Sequence, residues 1–154
     1  MICGDARDLC RLLPKPTRVN LTITSPPYAG TIDYGVDGQI GFGQSFDEYL
    51  YDCKAVFEQV ASVSTADASM WLITDSVATP SIKARTELLP YRLAEQAEKA
   101  GWILRDVVVW HKDRTLPWSG EGRLRDAFEY VFQFVRSQRF QYHIDSLKIG
   151  RAHV

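Results

Sequence analysis

The sequence predicts an α/β fold, because runs of β-branched and apolar residues alternate with segments of helical periodicity. The predicted strands cover residues 19–23, 69–74, 102–110 and 126–135. The longest predicted helices cover residues 45–60 and 90–100. A Ser-Pro-Pro-Tyr stretch follows the first strand and must end it, since two prolines remove two backbone donors. We expect residues 19–24 and 70–74 to be central strands, and residues 103–110 and 129–135 to form an antiparallel hairpin.

The helix predicted over residues 45–60 has the clearest local signals. Ser45 and Glu48 have the spacing of a capping box. Apolar side chains then recur at intervals of three and four, which predicts one buried face packed on the sheet: Phe46, Tyr49, Leu50, Cys53, Val56, Phe57 and Val60. The remaining predicted elements are a short helix over residues 6–13 and a short final strand over residues 140–143.

Composition limits the class of protein. A chain of 154 residues with 45% hydrophobic content suits one domain, and the net charge of −1 gives no overall basic signature for nucleic acid. No run of 18 apolar residues predicts a membrane span. The odd set Cys3, Cys10 and Cys53 has no CxxC pair, which favours a reduced, cytoplasmic setting over disulfides or zinc. No metal site is predicted.

The loop from Ser25 to Tyr28 carries the strongest chemical signal. It lies at the carboxyl end of a strand, where open α/β sheets bind ligands. The residue before each proline is held extended, so the carbonyls of Ser25 and Pro26 point in fixed directions. Tyr28 adds an aromatic face. Together these groups suit a flat heteroaromatic ring whose amino group donates to Ser25 and the Pro26 carbonyl. Those two bonds favour a tetrahedral nitrogen that can attack a methyl donor.

This Ser-Pro-Pro-Tyr motif after a hydrophobic strand resembles the catalytic motif of amino-methylating DNA methyltransferases. The opening Gly4-Asp5, helix, Leu-Pro, strand and motif are similar to the β group of that family, in which the catalytic half precedes the cofactor half. The resemblance implies a partial Rossmann-like, S-adenosylmethionine-dependent methyltransferase sheet with a C-terminal antiparallel hairpin. Residues 1–148 would be the catalytic half.

The serine form of the motif is most typical of cytosine-N4 enzymes, and aspartate or asparagine of adenine-N6 enzymes. The resemblance therefore implies methyl transfer from S-adenosylmethionine to N4 of a cytosine flipped out of double-stranded DNA, in a restriction-modification system with a cognate restriction endonuclease. Ser25 and Pro26 would orient the amine, Pro27 would stiffen the loop and Tyr28 would stack on the base. The residues expected to bind the cofactor are Asp5, Thr24 and Ser25. Asp5 could equally be a helix N-cap.

The residues expected to contact DNA or the target base follow strands or lie in loops: Tyr34, Asp75, Lys112, Trp118, Arg123, Arg125 and Phe128. The loop over residues 112–125 is the most basic in the chain, and it contains a tryptophan, so phosphate contact is expected there. Phe128 stands where the family commonly has histidine, and we expect it to wall the base pocket. Tyr34 could instead face solvent, and Asp75 could be a turn residue.

Two other functions stay open at this point: adenine-N6 methylation, and a non-catalytic α/β nucleic-acid-binding module. The resemblance also implies a recognition region and an FxGxG cofactor motif downstream, neither of which is present in residues 1–154. We therefore expect this chain to be inactive alone and an inner strand of its sheet to lie at an edge. The last six residues, 149–154, are similar to translated sequencing-adapter read-through, and we expect no structural role for them.

Overall fold

The computed structural model describes residues 2–30, 32–78, 86–113 and 127–143. Trp118, Arg123, Arg125 and the segment 149–154 lie outside these ranges. The helices are a 3₁₀ turn over Ala6–Asp8, α1 (Leu9–Leu12), α2 (Phe46–Val63) and α3 (Leu89–Lys99). The strands are β1 (Val19–Thr24), β2 (Ser64–Thr74), β3 (Val77–Ala78), β4 (Thr86–Glu87), β5 (Ile103–His111) and β6 (Phe128–Val135).

The principal sheet has the strand order β1-β2-β6-β5. β1 and β2 are parallel and are connected through α2, while β6 is antiparallel to both of its neighbours. The predicted hairpin is therefore confirmed, with Val108 opposite Val131 and His111 opposite Phe128. β6 lies between β2 and β5, so the second strand of the hairpin is an inner strand of the sheet.

The core lies between one face of the sheet and helices α2 and α3. The capping box at the start of α2 is confirmed, since Ser45 accepts from the Glu48 amide and the Glu48 carboxylate accepts from the Ser45 amide. The predicted apolar face of α2 is buried, apart from Phe46 and Val56, which are partly buried. From the sheet, four fully buried side chains meet this face: Met70, Leu72, Phe132 and Phe134. Burial of this apolar surface is the main source of stability.

The prediction that residues 19–24 form a central, buried strand is wrong for the described sheet. β1 is an edge strand, and Leu21 and Ile23 are 53% and 66% exposed. The apolar pattern of β1 fixes which faces are hydrophobic, but it does not fix how many neighbours the strand has. We also expected one strand with the apolar pattern of an inner strand to lie at an edge of the sheet, and β1 is such a strand.

Three further boundaries differ from prediction. The helix over residues 6–13 is a 3₁₀ turn followed by one α turn, because Leu13 is already extended ahead of Pro14. β2 begins at Ser64, directly after α2, and not at residue 69. Residues 140–143 are irregular and not a strand, because their contacts with β2 are isolated bonds such as that from the Gln141 amide to the Asp67 carbonyl. Among the described helices, none has the length and apolar character needed to cross a membrane.

Alkaline pH should destabilise the fold through Cys53 in α2. Burial raises the pKa of this thiol to about 12, against about 8.5 in an unfolded chain. The neutral thiol is thus favoured by folding, so its contribution is complete below pH of about 8.5 and is lost as the pH rises toward the folded-state value. We expect the free energy of unfolding in urea to fall between these pH values and Cys53→Ala to reduce that dependence.

The exposed Cys3 provides the control for this titration. Cys3→Ala should leave the pH dependence of the unfolding free energy as in the wild type. An unchanged pH dependence in Cys53→Ala would contradict the prediction.

Candidate active site

The sheet topology gathers four chain segments at one edge. β1 and β2 are parallel, so the loops after Thr24 and Thr74 leave from the same edge. β6 starts at this edge and β5 ends there, because Thr74 is opposite Tyr130 and Trp110 is opposite Glu129. The Ser-Pro-Pro-Tyr loop therefore shares one edge with residues after β2, after β5 and at the start of β6.

The Ser-Pro-Pro-Tyr loop is exposed at its first residue and is held by a hydrogen bond to α2 further along. Ser25 is exposed, whereas Pro26, Pro27 and Tyr28 are half-buried. The Tyr49 phenol of α2 donates to the Pro27 carbonyl at 2.9 Å. The Pro26 carbonyl accepts no hydrogen bond from any residue within the described ranges. One carbonyl of the loop is thus held by the protein, and the preceding one remains available as an acceptor.

The Tyr28 phenol is kept neutral by its surroundings. Burial raises its pKa, and the nearby negative charge of Glu129 raises it further. A hydrogen bond with Ser25 and the charge of Lys112 act in the opposite direction, but the net shift is upward. A neutral aromatic ring beside an exposed hydroxyl suits contact with a planar, uncharged ring better than general-base chemistry.

A cluster of three charged residues lies beside Tyr28. The Lys112 ammonium is 3.2 Å from the Asp75 carboxylate and 3.2 Å from the Glu129 carboxylate. The Asp75 carboxylate also accepts from the Ser76 amide at 2.7 Å. Because Asp75 follows β2, Lys112 follows β5 and Glu129 belongs to β6, this cluster ties three strands together at the site edge.

Asp5 lies on the side of the molecule formed by the first turns of α2. It caps the 3₁₀ turn by accepting from the Arg7 amide at 2.8 Å, so its role as an N-cap is confirmed. The Arg7 guanidinium binds Asp5 and also Asp52 of α2, at 2.6 and 2.8 Å. Its hydrogen bonds hold the pKa of Asp5 below the usual range. Asp5 therefore presents an ionised, partly exposed carboxylate.

The loop between the motif and α2 is organised by its own hydrogen bonds. The Gln39 side chain accepts from the Tyr34 amide and donates to the Ile32 carbonyl, both at 2.7 Å. The exposed Tyr34 side chain is thus carried on a cross-linked turn. Residues 38–43, which complete the loop, form turns and bends.

Residues 19–151 match the model of a protein family described as DNA methylase, of the N6 and N4 type. The chain belongs to this DNA methylase family. Two curated relatives are the type II methyltransferases M.SfiI of Streptomyces fimbriatus and M.XycI of Xanthomonas campestris pv. cyanopsidis, each 32% identical. The alignments cover 95% and 90% of this chain but 38% and 55% of those relatives. The chain thus spans about half the length of the relatives or less.

Solved structures share the fold of this DNA methylase chain. The PvuII DNA methyltransferase (cytosine-N4-specific) superposes with a TM-score of 0.75 at 19% identity, covering 94% of this chain and 51% of that one. A DNA modification methylase of Thermus thermophilus in complex with S-adenosyl-L-methionine, described as putative, gives a TM-score of 0.67 at 19% identity, covering 96% and 61%. These similarities establish a Rossmann-like methyltransferase sheet.

Several residues predicted from the sequence come together at this candidate site. Ser25, Tyr28, Asp75 and Lys112 lie at one edge of the sheet, and Thr24 precedes them as the last residue of β1. Phe128 begins β6 at the same edge and packs edge-on against Tyr130, with ring centroids 5.2 Å apart. The ammonium of Lys112, a predicted phosphate contact, lies 3.2 Å from each of two carboxylates, those of Asp75 and Glu129.

Three residues that the structure places at or near this candidate site were not predicted from the sequence: Glu129, Arg7 and Tyr49. Glu129 offered a signal, since it is the one charged residue of the strand Phe128–Val135. Arg7 offered a weaker one, two residues after an acidic N-cap. Tyr49 offered none, because it belongs to a regular apolar stripe and only the folded structure shows where its hydroxyl points.

Removing the cation of the charged cluster should destabilise the chain. Lys112→Met removes the ammonium that contacts the carboxylates of Asp75 and Glu129, whose side chains are only 12% and 23% exposed. We expect a loss of about 2 kcal/mol, less than the ~3–5 kcal/mol of a fully buried pair because the cluster keeps some solvent. Urea unfolding of the purified chain measures this difference.

Lys54→Met is the matched control, because Lys54 pairs with Glu58 on the surface of α2. That exposed pair should contribute about 0.5 kcal/mol or less. Equal losses for the two variants would show that the Lys112 cluster is an ordinary surface pair.

Proposed function

We propose that the complete protein transfers a methyl group from S-adenosylmethionine to the exocyclic N4 of cytosine in DNA. One observation carries this proposal: an exposed Ser25 hydroxyl, an available Pro26 carbonyl and a neutral Tyr28 ring lie together at the carboxyl edge of a methylase sheet. Two acceptors and one aromatic face match an amino-substituted heteroaromatic ring. The family membership supports amino methylation, and the choice of cytosine rests on the serine of the motif.

The chemistry assigned to these residues is orientation of the amine. The two N–H groups donate to Ser25 Oγ and to the Pro26 carbonyl, which directs the nitrogen lone pair away from both acceptors. With S-adenosylmethionine bound, its methyl group would pass to this nitrogen as the carbon–sulfur bond breaks, and the extra proton would leave to solvent or to Ser25. No covalent enzyme intermediate and no metal are required. The base must leave the duplex to reach this loop.

The cofactor residues that we propose are Asp5, Thr24 and Ser25. The ionised carboxylate of Asp5 suits the hydroxyl and amino donors of an adenosine, and Thr24 and Ser25 add hydroxyl groups at the end of β1. Asp5 and the motif are both tied to the first two turns of α2, through Arg7–Asp52 and Tyr49–Pro27 respectively. S-adenosylmethionine, when bound, supplies a methyl group activated by a positively charged sulfur.

The proposed DNA partner is a duplex with one base flipped out. Tyr34 and Phe128 are proposed to contact the base or its surroundings, and Trp118, Arg123 and Arg125 to contact phosphates. Asp75 and Lys112, which form an ion pair, are proposed to contact the DNA or the base and to shape the pocket. The names of the curated relatives also support a restriction-modification context with a cognate endonuclease.

The test is methyl transfer by the protein encoded by the complete reading frame that contains residues 1–148. We expect N4-methyl-2′-deoxycytidine in nucleoside digests of DNA treated with this protein and labelled S-adenosylmethionine. Ser25→Ala should lower kcat about 100-fold, the typical cost of losing one preorganised hydrogen-bonding group at a reacting centre. Mass spectrometry of the nucleosides gives both the product and the rate.

Ser137→Ala is the control, because Ser137 follows β6 at the opposite edge of the sheet. It should leave kcat unchanged. Formation of N6-methyl-2′-deoxyadenosine instead would replace cytosine by adenine in the proposal. DNA binding without transfer of any methyl group would support a non-catalytic module.

A further inference from the structure

We propose that Tyr49 is a positioning residue for the methyl transfer, because its phenol fixes the carbonyl of Pro27 and thereby the direction of the acceptors before it. This inference rests on the proposed function. Tyr49 belongs to α2 and not to the Ser-Pro-Pro-Tyr loop, and it has no role in the sequence motif. Its hydroxyl donates to the Pro27 carbonyl at 2.9 Å across 22 residues of chain.

The donor in this bond is rigid. The Tyr49 side chain is 1% exposed and lies one turn inside a helix that starts with a complete capping box. Its ring packs against Phe46, with centroids 6.4 Å apart. Burial raises the pKa of Tyr49, so the phenol remains protonated and able to donate throughout the working pH range. The hydroxyl is therefore a fixed point to which the loop is attached.

Gly41 closes the space around this bond. It has a φ of +89°, and a Cβ built on it would lie 3.4 Å from the Tyr49 ring and 3.5 Å from the Pro27 carbonyl oxygen. The Gly41 carbonyl accepts from the Gly30 amide, and its own amide donates to Gln44. The backbone of Gly41 thus covers the phenol–carbonyl bond and joins it to both ends of the loop between the motif and α2.

The proline rings transmit this attachment to the reacting side of the loop. Pro26 and Pro27 each have a fixed φ, so few torsions separate the Pro27 carbonyl from the Pro26 carbonyl and Ser25. When the Pro27 carbonyl is held in place, the direction in which the Pro26 carbonyl points toward the amine is therefore fixed as well. Without the Tyr49 hydroxyl the loop would keep its sequence and its exposed serine but lose this alignment. Small errors in alignment cost large factors in rate.

The test compares Tyr49→Phe with Tyr51→Phe, a matched change on the same helix at a residue that is 73% exposed. Hydrogen exchange of this chain measures the loop directly. We expect the Gly30 and Gly41 amides to exchange at least tenfold faster in Tyr49→Phe, with the amides of α2 and β2 unchanged and Tyr51→Phe equal to wild type. Equal exchange at Gly30 and Gly41 in wild type and Tyr49→Phe would overturn the proposal.

Kinetics of the complete protein provide the second readout. Tyr49→Phe should lower kcat tenfold or more while KM for DNA changes less than twofold, because the phenol acts on alignment and not on DNA binding. Val60→Ala, a core variant on α2 away from the loop, separates alignment from general stability. A kcat loss in Val60→Ala equal to that in Tyr49→Phe would overturn the proposal, as would a loss confined to KM.

The failure of the proposed function can be told apart from the failure of this inference. Wild-type protein that transfers no methyl group overturns the proposed function and the role of Tyr49 with it. Active wild-type protein with an unaffected Tyr49→Phe variant overturns only the role of Tyr49.

Discussion

Two consecutive prolines at the end of β1 are the constraint on which the site depends. They withhold two amide donors at the point where the sheet ladder would otherwise continue, so the loop cannot be stabilised by pairing with a neighbouring strand. Its support must come from elsewhere, and it comes from the Tyr49 phenol of α2 and the backbone of Gly41. The same constraint leaves a carbonyl at Pro26 that the described protein does not use. The loop is therefore stiff, and it offers one acceptor that the described residues leave unused.

Lys112 makes ion pairs at the candidate site that the sequence did not predict. Lys112 looked like a phosphate contact because it begins a basic loop, but its ammonium is bound between Asp75 and Glu129. Lys112 thereby connects the ends of β2, β5 and β6. The position of Lys112 after a strand predicted the edge of the sheet at which it lies, but not its two carboxylate partners.

The fold and the motif could be predicted from the sequence because their signals are local. The capping box, the apolar face of α2 and the Ser-Pro-Pro-Tyr stretch each occupy a few consecutive residues, and the structure confirms the first two as predicted. An edge strand was expected, but that it would be β1 could not be predicted, because an apolar run does not encode the number of its neighbours. Asp75 was a candidate by position, but its partnership with Lys112 and Glu129 joins residues 37 and 54 positions apart and depends on strand order. Tyr49 was predicted to be a core residue. Its ring is buried in the core, but the hydrogen bond from its hydroxyl to the Pro27 carbonyl was not predicted.

Tyr49 shows how a core residue can support a site, because its ring packs in the core while its hydroxyl binds the loop. A buried aromatic ring is held by packing on all sides, so its polar atom has less freedom than any group on a surface loop. An anchor of this kind needs no contact with substrate to influence a reaction, provided that the chain between anchor and reacting group is stiff. Here that chain is a pair of prolines, so little of the alignment is lost along it. Electrostatic stabilisation in enzymes depends on groups that are oriented before the substrate arrives. In this fold the helix core supplies that orientation to a loop that cannot generate it by itself.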